Sequence, residues 1–172
     1  MNHICALTVV AALACAAAMN AQDTPFSTDT KNSYTGIKNT LIRAAEKMPE
    51  ENYSFRTAPE VRTYGEMITH VADVQFALCG MAKGEQKEAK APAEKTKAAA
   101  SAYLKSSFDY CDGVYNSMTD SAGMAKVKMF GRDLTKLGVL NFNIAHDNEM
   151  YGTMVAFLRL KGIVPPSSDR RP

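Results

Sequence analysis

The chain has no tryptophan, and its first 21 residues contain no Asp, Glu, Lys or Arg. All 20 basic and 18 acidic residues therefore fall after position 21. The formal net charge is only +2, with no cluster of basic residues interleaved with aromatics. No field of one sign argues for nucleic acid or an anionic membrane as a partner. There is no Gly-rich phosphate loop, no Gly-x-Ser-x-Gly elbow and no Cys-x-x-Cys pair, so the common signatures of nucleotide hydrolysis, serine esterase chemistry and dithiol exchange are missing.

What the first 21 residues do contain is an apolar run of 15, Ile4 to Ala18, followed by small residues. The run is short for a bilayer span and suits the core of an export signal. Cleavage is expected after Ala18 or Ala21, leaving a periplasmic or secreted domain with no membrane span. A membrane anchor or a buried helix is the alternative. Positive charge near Met1 comes only from the amino terminus and His3, and Ala12-Leu13-Ala14 before Cys15 makes a poor lipoprotein motif. Removal of the signal takes Cys5 and Cys15 with it. Cys79 and Cys111 remain, an even pair in an oxidising compartment. They form either a disulfide closing a loop of about 33 residues, worth ~3 kcal/mol, or two separate buried thiols.

The remaining 151 residues suit one domain. Their apolar residues recur at helical spacing in four segments. The first is predicted over 27–48, capped by Ser27 and ended at Met48-Pro49. The second runs over 61–83 with Gly84 at its end, and the third over 94–118. A solvated Lys/Glu/Ala-rich segment at 84–93, with Pro92, joins these two. Residues 119–132 are expected to be a loop around Gly123 and Gly131. The last helix is predicted over 133–161, stopped by Gly162 and Pro165-Pro166. No strand pattern is seen. The expected fold class is all-α, a four-helix bundle over 22–166 with a frayed tail at 167–172.

On the last helix, Val139, Phe142, His146, Met150 and Phe157 fall within about 40° of one direction at about 100° per residue. Leu137, Leu140, Ile144, Tyr151, Val155 and Leu158 form a second stripe. Gly138, Ala145, Gly152 and Ala156 make a third, all small. Little solvent face is therefore expected, with the small line against a neighbouring backbone and His146 pointing inward.

Neutral imidazoles bind Zn, Ni, Cu or Fe, and bundles build metal sites from facing helices. His146 and position 150 share a face as i and i+4. A second histidine there would chelate, but the residue is Met150. His70 flanks the apolar stripe of the second helix, near Met67 and Val74, a position from which it can face His146. Glu149 lies about 60° around from His146, within reach of the same space, and Asp147 lies about 100° away. The alternative is a hydrogen-bonded core histidine, with Met150 and Met154 as core filling. A soft Cu(I) site from Met67, His70, His146 and Met150 is a further option in an oxidising compartment.

Two stretches resemble a known family. Pro59-Glu60-Val61-Arg62-Thr63-Tyr64-Gly65-Glu66-Met67-Ile68-Thr69-His70-Val71-Ala72-Asp73 is similar to the second-helix region of DinB-like proteins. Asn143-Ile144-Ala145-His146-Asp147-Asn148-Glu149-Met150-Tyr151-Gly152, continuing to Pro165-Pro166, is similar to their fourth helix and exit. The resemblance implies an up-down-down-up bundle with 84–93 as the long crossover. It also implies a divalent metal (Ni, Zn, Mn or Fe) held by three histidines, one on the second helix and an i, i+4 pair on the fourth. His70 and His146 match the first two, and Met150 stands at the third position. Family activities include glutathione-, mycothiol- and bacillithiol-linked transfer and isomerisation, in which the metal would activate the thiol.

Two readings follow. In one, the chain is a metal-binding protein or a metal-dependent thiol transferase or hydrolase-like enzyme, with Glu149 or water completing the shell of His70 and His146. Its partner is a small molecule or thiol. In the other, it is a non-catalytic ligand-binding or interaction bundle that has lost the metal. Helix faces allow a homodimer without specifying one.

Overall fold

Three of the four long helices start on a threonine whose side chain takes the N–H three residues on. In this computed structural model, which describes residues 24–169, Thr63 caps Glu66, Thr96 caps Ala99 and Thr135 caps Gly138. Each cap satisfies one of the orphan donors of a first turn. At Thr63 the Glu66 carboxylate reaches back to the Thr63 N–H at 2.7 Å, completing a capping box. The elements are α1 Pro25–Lys47, α2 Tyr64–Lys83, α3 Lys97–Ser117, the single turn α4 Asp120–Gly123, β1 Lys126–Met129, β2 Arg132–Thr135 and α5 Lys136–Leu160. The expected export signal at 1–21 and residues 170–172 lie outside the described residues.

Helices α2, α3 and α5 each begin three residues later than expected, at 64, 97 and 136 rather than 61, 94 and 133. Apolar periodicity runs through a helix end, whereas the threonine cap fixes it. The start of α1 is a second correction. Ser27 is not its cap but lies inside the helix and is buried. The first-turn N–H groups of Phe26 and Ser27 donate instead to the Asp120 carboxylate, at 3.2 and 2.7 Å. A residue more than ninety positions away therefore does the work of a local cap.

Helix α2 packs on α3 and α5, and α1 packs on the same two. The pairings fix the directions. Tyr103 donates to Asp73 and Cys111 joins Cys79, so α2 and α3 run parallel. His70 meets His146 while Tyr64 meets Phe157, so α2 and α5 are antiparallel. The order is up-down-down-up, as the family resemblance implied. It requires the exposed segment after Gly84 to return along the bundle before α3 begins. That strand of chain presses on α2 at Gly65, where a Cβ would sit 2.4 Å from the Lys95 carbonyl oxygen. Gly84 ends α2 with φ of 91°.

Residues 119–132 are not simply a loop. They hold α4 and most of an antiparallel hairpin that runs on to Thr135, into the expected start of the last helix, pairing Lys126 with Thr135 and Met129 with Arg132. Its two-residue turn, Phe130-Gly131, has φ of 50° and 76°, the doubly positive pattern of a type I′ turn. Four residues per strand give too little alternation to register in the sequence. The tail is also corrected as far as Asp169. Its carboxylate bonds Lys47 and Arg43, and Ser167 bonds the Tyr151 hydroxyl through both its N–H and its Oγ at 2.8 Å.

The face of α5 differs from expectation. Its buried residues include Leu140, Asn143, Asp147, Tyr151, Met154 and Leu158, a single sector between the two apolar stripes, which form its edges. The small line faces outward: Ala145, Gly152 and Ala156 are exposed, and nothing lies within 4 Å of a Cβ placed on Gly152. Phe142 is 41% exposed. The helix has a solvent face after all, mostly of small and polar residues with Phe142 and Leu160 exposed among them.

Candidate functional site

The turn of α2 around His70 faces the turn of α5 around His146. Their Nε2 atoms are 3.3 Å apart, and the rings meet edge to face at 73°. His146 sits at the rim of the buried sector, with 13% of its side chain exposed. His70 is half-buried. Burial first, and then the positive charge of Arg62, holds His70 below the ordinary histidine range. Its ring is therefore neutral near physiological pH and carries a lone pair.

A groove of about 410 Å³ opens onto His70 from outside, lined by Arg56, Arg62, Glu66, Asp73 and Lys95 among others. It gives His70 a route to solvent and a rim of both charge signs.

The 3.3 Å separation suits one N–H···N hydrogen bond. It also suits two lone pairs on one ion. Metal–nitrogen bonds of about 2.0–2.1 Å at a tetrahedral angle place the two nitrogens roughly 3.3–3.4 Å apart. Two imidazole nitrogens at this spacing therefore match the bite of a divalent ion. The rest of the expected shell is not assembled. Among the described residues, no group of three or more His, Cys, Asp or Glu side chains is gathered around one point where a metal would sit. Glu149 lies on the exposed side of α5. Met150, at the third family position, is half-buried against the core, and Met67 is buried within it.

Behind the histidines lies a polar layer that the spacing argument missed. Asp147 and Asn143 are fully buried on α5, facing fully buried Gln75 on α2. The Gln75 Nε2 donates to Asp147 Oδ2, and the Gln75 Oε1 accepts from Asn143 Nδ2 at 2.9 Å. The Asn143 Nδ2 also reaches the Tyr115 hydroxyl at 3.3 Å, and that hydroxyl donates to the Leu140 carbonyl at 2.9 Å. Burial pushes the Asp147 carboxyl up to about 6, against the lowering pull of His146 and Gln75. The signal that could have exposed this layer is the heptad-like spacing of Leu140, Asn143, Asp147, Tyr151, Met154 and Leu158. Two competing apolar stripes on the same helix obscured it.

One turn along α2 from Gln75, Cys79 is joined to Cys111 of α3, with Cα atoms 5.5 Å apart. The bridge is buried at both ends.

The fold and the site can now be set beside known proteins. Structures similar to this one include a DinB-like protein of Bacillus subtilis, at a TM-score of 0.70 and 16% identity over 84% of this chain and 99% of that one. A DinB-like protein of Bacillus cereus ATCC 10987 superposes at 0.71 with 19% identity, covering 84% and 97% of the two chains. The mycothiol-dependent maleylpyruvate isomerase superposes at 0.60 with 16% identity over 75% of this chain, which spans 59% of that enzyme. At such identities the likeness is one of fold. No curated protein matches the chain significantly. The sequence pattern of the DinB superfamily matches residues 34–154, from Tyr34 on α1 to Met154 on α5. With most of the chain inside that match and the same bundle in the structure, this protein belongs to the DinB superfamily.

Proposed function

We propose that this protein binds a divalent metal ion through His70 and His146, leaving the ion's remaining positions to water or to a small ligand entering by the groove beside His70. The observation that carries the reading is the 3.3 Å approach of two Nε2 atoms from different helices. When bound, such an ion would act as a Lewis acid toward an oxygen or sulfur ligand. The chain's own residues would supply two imidazole donors, with His70 held below the ordinary histidine range by burial and Arg62, and a mixed rim of Arg56, Arg62 and Lys95 with Glu60, Glu66 and Asp73. The fold shared with a mycothiol-dependent isomerase favours a thiol-bearing small molecule as the ligand class.

Two protein donors hold an ion less firmly than three, and the thioether of Met150 is a poor substitute for imidazole toward Ni, Zn, Mn or Fe. The reading is therefore of an exchangeable ion. Export to an oxidising compartment belongs to the same proposal and is supported by the buried Cys79–Cys111 bridge.

Metal content and thermal unfolding of the untagged protein, with and without Zn, Ni, Mn or Cu, test it. At free metal 100-fold above Kd, binding stabilises by about 2.7 kcal/mol. A stabilisation no larger than that of a His146→Ala control, with no bound metal, leaves a non-catalytic bundle as the surviving reading. Met150→His should tighten binding where His70 and His146 converge on one ion.

A further inference from the structure

We infer that Asp147 is a positioning residue for His146, its buried carboxylate holding the imidazole as the Nδ1–H tautomer so that the Nε2 lone pair faces His70. The inference deepens the metal reading, but only its affinity arm rests on that reading.

Three buried side-chain polar atoms among the described residues have no hydrogen-bond partner, and all are on α5: Asn143 Oδ1, His146 Nδ1 and Asp147 Oδ1. The last two lie 4.0 Å apart. Each is costly to leave unpaired in the interior. One is a ring nitrogen able to carry a proton, and the other is a carboxylate oxygen able only to accept. A closing movement of roughly 1 Å turns them into a charge-assisted hydrogen bond.

Nothing else around Asp147 serves this need. Its other oxygen is occupied by the Gln75 amide, whose orientation is fixed in turn by Asn143. Gln75, Asn143 and Tyr115 are neutral, and no Lys or Arg forms an ion pair with Asp147 among the described residues. His146 is the one chargeable cationic partner within 4.0 Å. A carboxylate is otherwise a poor choice for a fully buried position beside a glutamine, where an amide would satisfy the same donor without the desolvation.

The consequence is at the other end of the ring. With the proton on Nδ1, the His146 Nε2 is an acceptor. In the metal-free protein it accepts from the His70 Nε2–H across the 3.3 Å gap, and the same lone pair is the one an ion needs. Asp147→Asn reverses this. The Gln75 Nε2 still requires an acceptor, so the new amide turns its oxygen toward Gln75 and its NH₂ toward His146. Nδ1 then becomes the acceptor and the proton moves to Nε2, as happens when an orienting carboxylate is amidated in a catalytic triad.

The test is long-range ¹H–¹⁵N NMR of histidine-labelled protein at pH 8, without metal. Wild type should show the Nδ1–H tautomer at His146. Asp147→Asn should show Nε2–H, and Asp112→Asn, on the opposite seam, should leave the wild-type pattern. Zn²⁺ titration should then show binding 10–100-fold weaker in Asp147→Asn. An Nε2–H tautomer in wild type overturns the inference even where the variant does not fold. So does an Nδ1–H tautomer that survives Asp147→Asn. Absence of Zn²⁺ binding by wild type overturns the metal reading instead, while the tautomers still decide the role of Asp147.

Discussion

The seam between α1 and α3 and the seam between α2 and α5 flank the same core, yet they are finished differently. In the first, the Tyr34 hydroxyl lies 2.9 Å from the Asp112 Oδ1 and 3.2 Å from the Phe108 carbonyl, and the Lys38 Nζ pairs with Asp112 at 2.8 Å. Tyr34 stacks on Tyr115 with ring centroids 3.8 Å apart. The polar groups named there are partnered. In the second, all three unpartnered buried polar atoms of the described residues gather on α5, one of them on His146 itself, which meets His70 at the edge of a groove. Native interiors rarely leave such groups unpaired. A sequence that completes one seam and not the other marks the second as the place where something besides stability is at stake.

Four perturbations sharpen or break that contrast. The largest effect is expected at the strap that joins the two seams, the Cys79–Cys111 bridge from α2 to α3. Its reduction should lower stability by ~3 kcal/mol, read as a drop in Tm on adding reductant, with Cys79→Ala/Cys111→Ala insensitive to it. Equal unfolding curves with and without reductant would show that the bridge contributes nothing to the fold.

Next is Gln75→Leu, which strips Asp147 of its amide and Asn143 of its acceptor. The loss should be about 2–3 kcal/mol by chemical denaturation. A near-neutral result would mean the polar layer relaxes by admitting water, and the contrast between the seams would weaken.

Smaller is Tyr34→Phe in the satisfied seam, which keeps the ring stack and loses the hydroxyl. About 1 kcal/mol is expected, with metal-dependent stabilisation unchanged. A change in that stabilisation would couple the two seams.

Smallest is a tail contact remote from both. Lys47 and then Arg43 hold the Asp169 carboxyl below the usual carboxylate range. A carboxyl lowered in the folded state binds fewer protons than in the unfolded chain. Its stabilisation is thus complete above the unfolded pKa, near 4, and is lost as pH falls through the lower folded value. Asp169→Asn should lower stability slightly at neutral pH, because a partly exposed pair contributes little, and its profile should merge with that of wild type as pH falls below ~4, giving a flatter acid limb. A profile unchanged by the substitution would show the tail to be free in solution.

Much of the bundle was legible because long helices advertise themselves: four apolar periodicities and Gly84 and Gly162 just past helix ends suffice for helix number and order. The α4 turn and the hairpin were not legible, since four-residue elements carry too few side chains for a period to emerge. At the site, His70 and His146 were singled out from spacing and resemblance, and the structure brings their Nε2 atoms together. Glu149 was favoured over Asp147 because position on a helical wheel was measured from His146 rather than from the centre of the buried face. The structure puts Glu149 in solvent and Asp147 in the core.

By itself the sequence determined the class of fold and singled out His70 and His146, because period and residue identity are properties of the chain; the place of Met150 at a third ligand position came from the family resemblance. Only the tertiary structure decided which sector of α5 is inside, that Asp120 at the start of α4 caps α1, and that one carboxylate oxygen of Asp147 is left unpartnered near His146. Burial and hydrogen-bond satisfaction depend on which helices surround a residue, and a one-dimensional pattern with two apolar stripes on one helix leaves that choice open until the neighbours are in place.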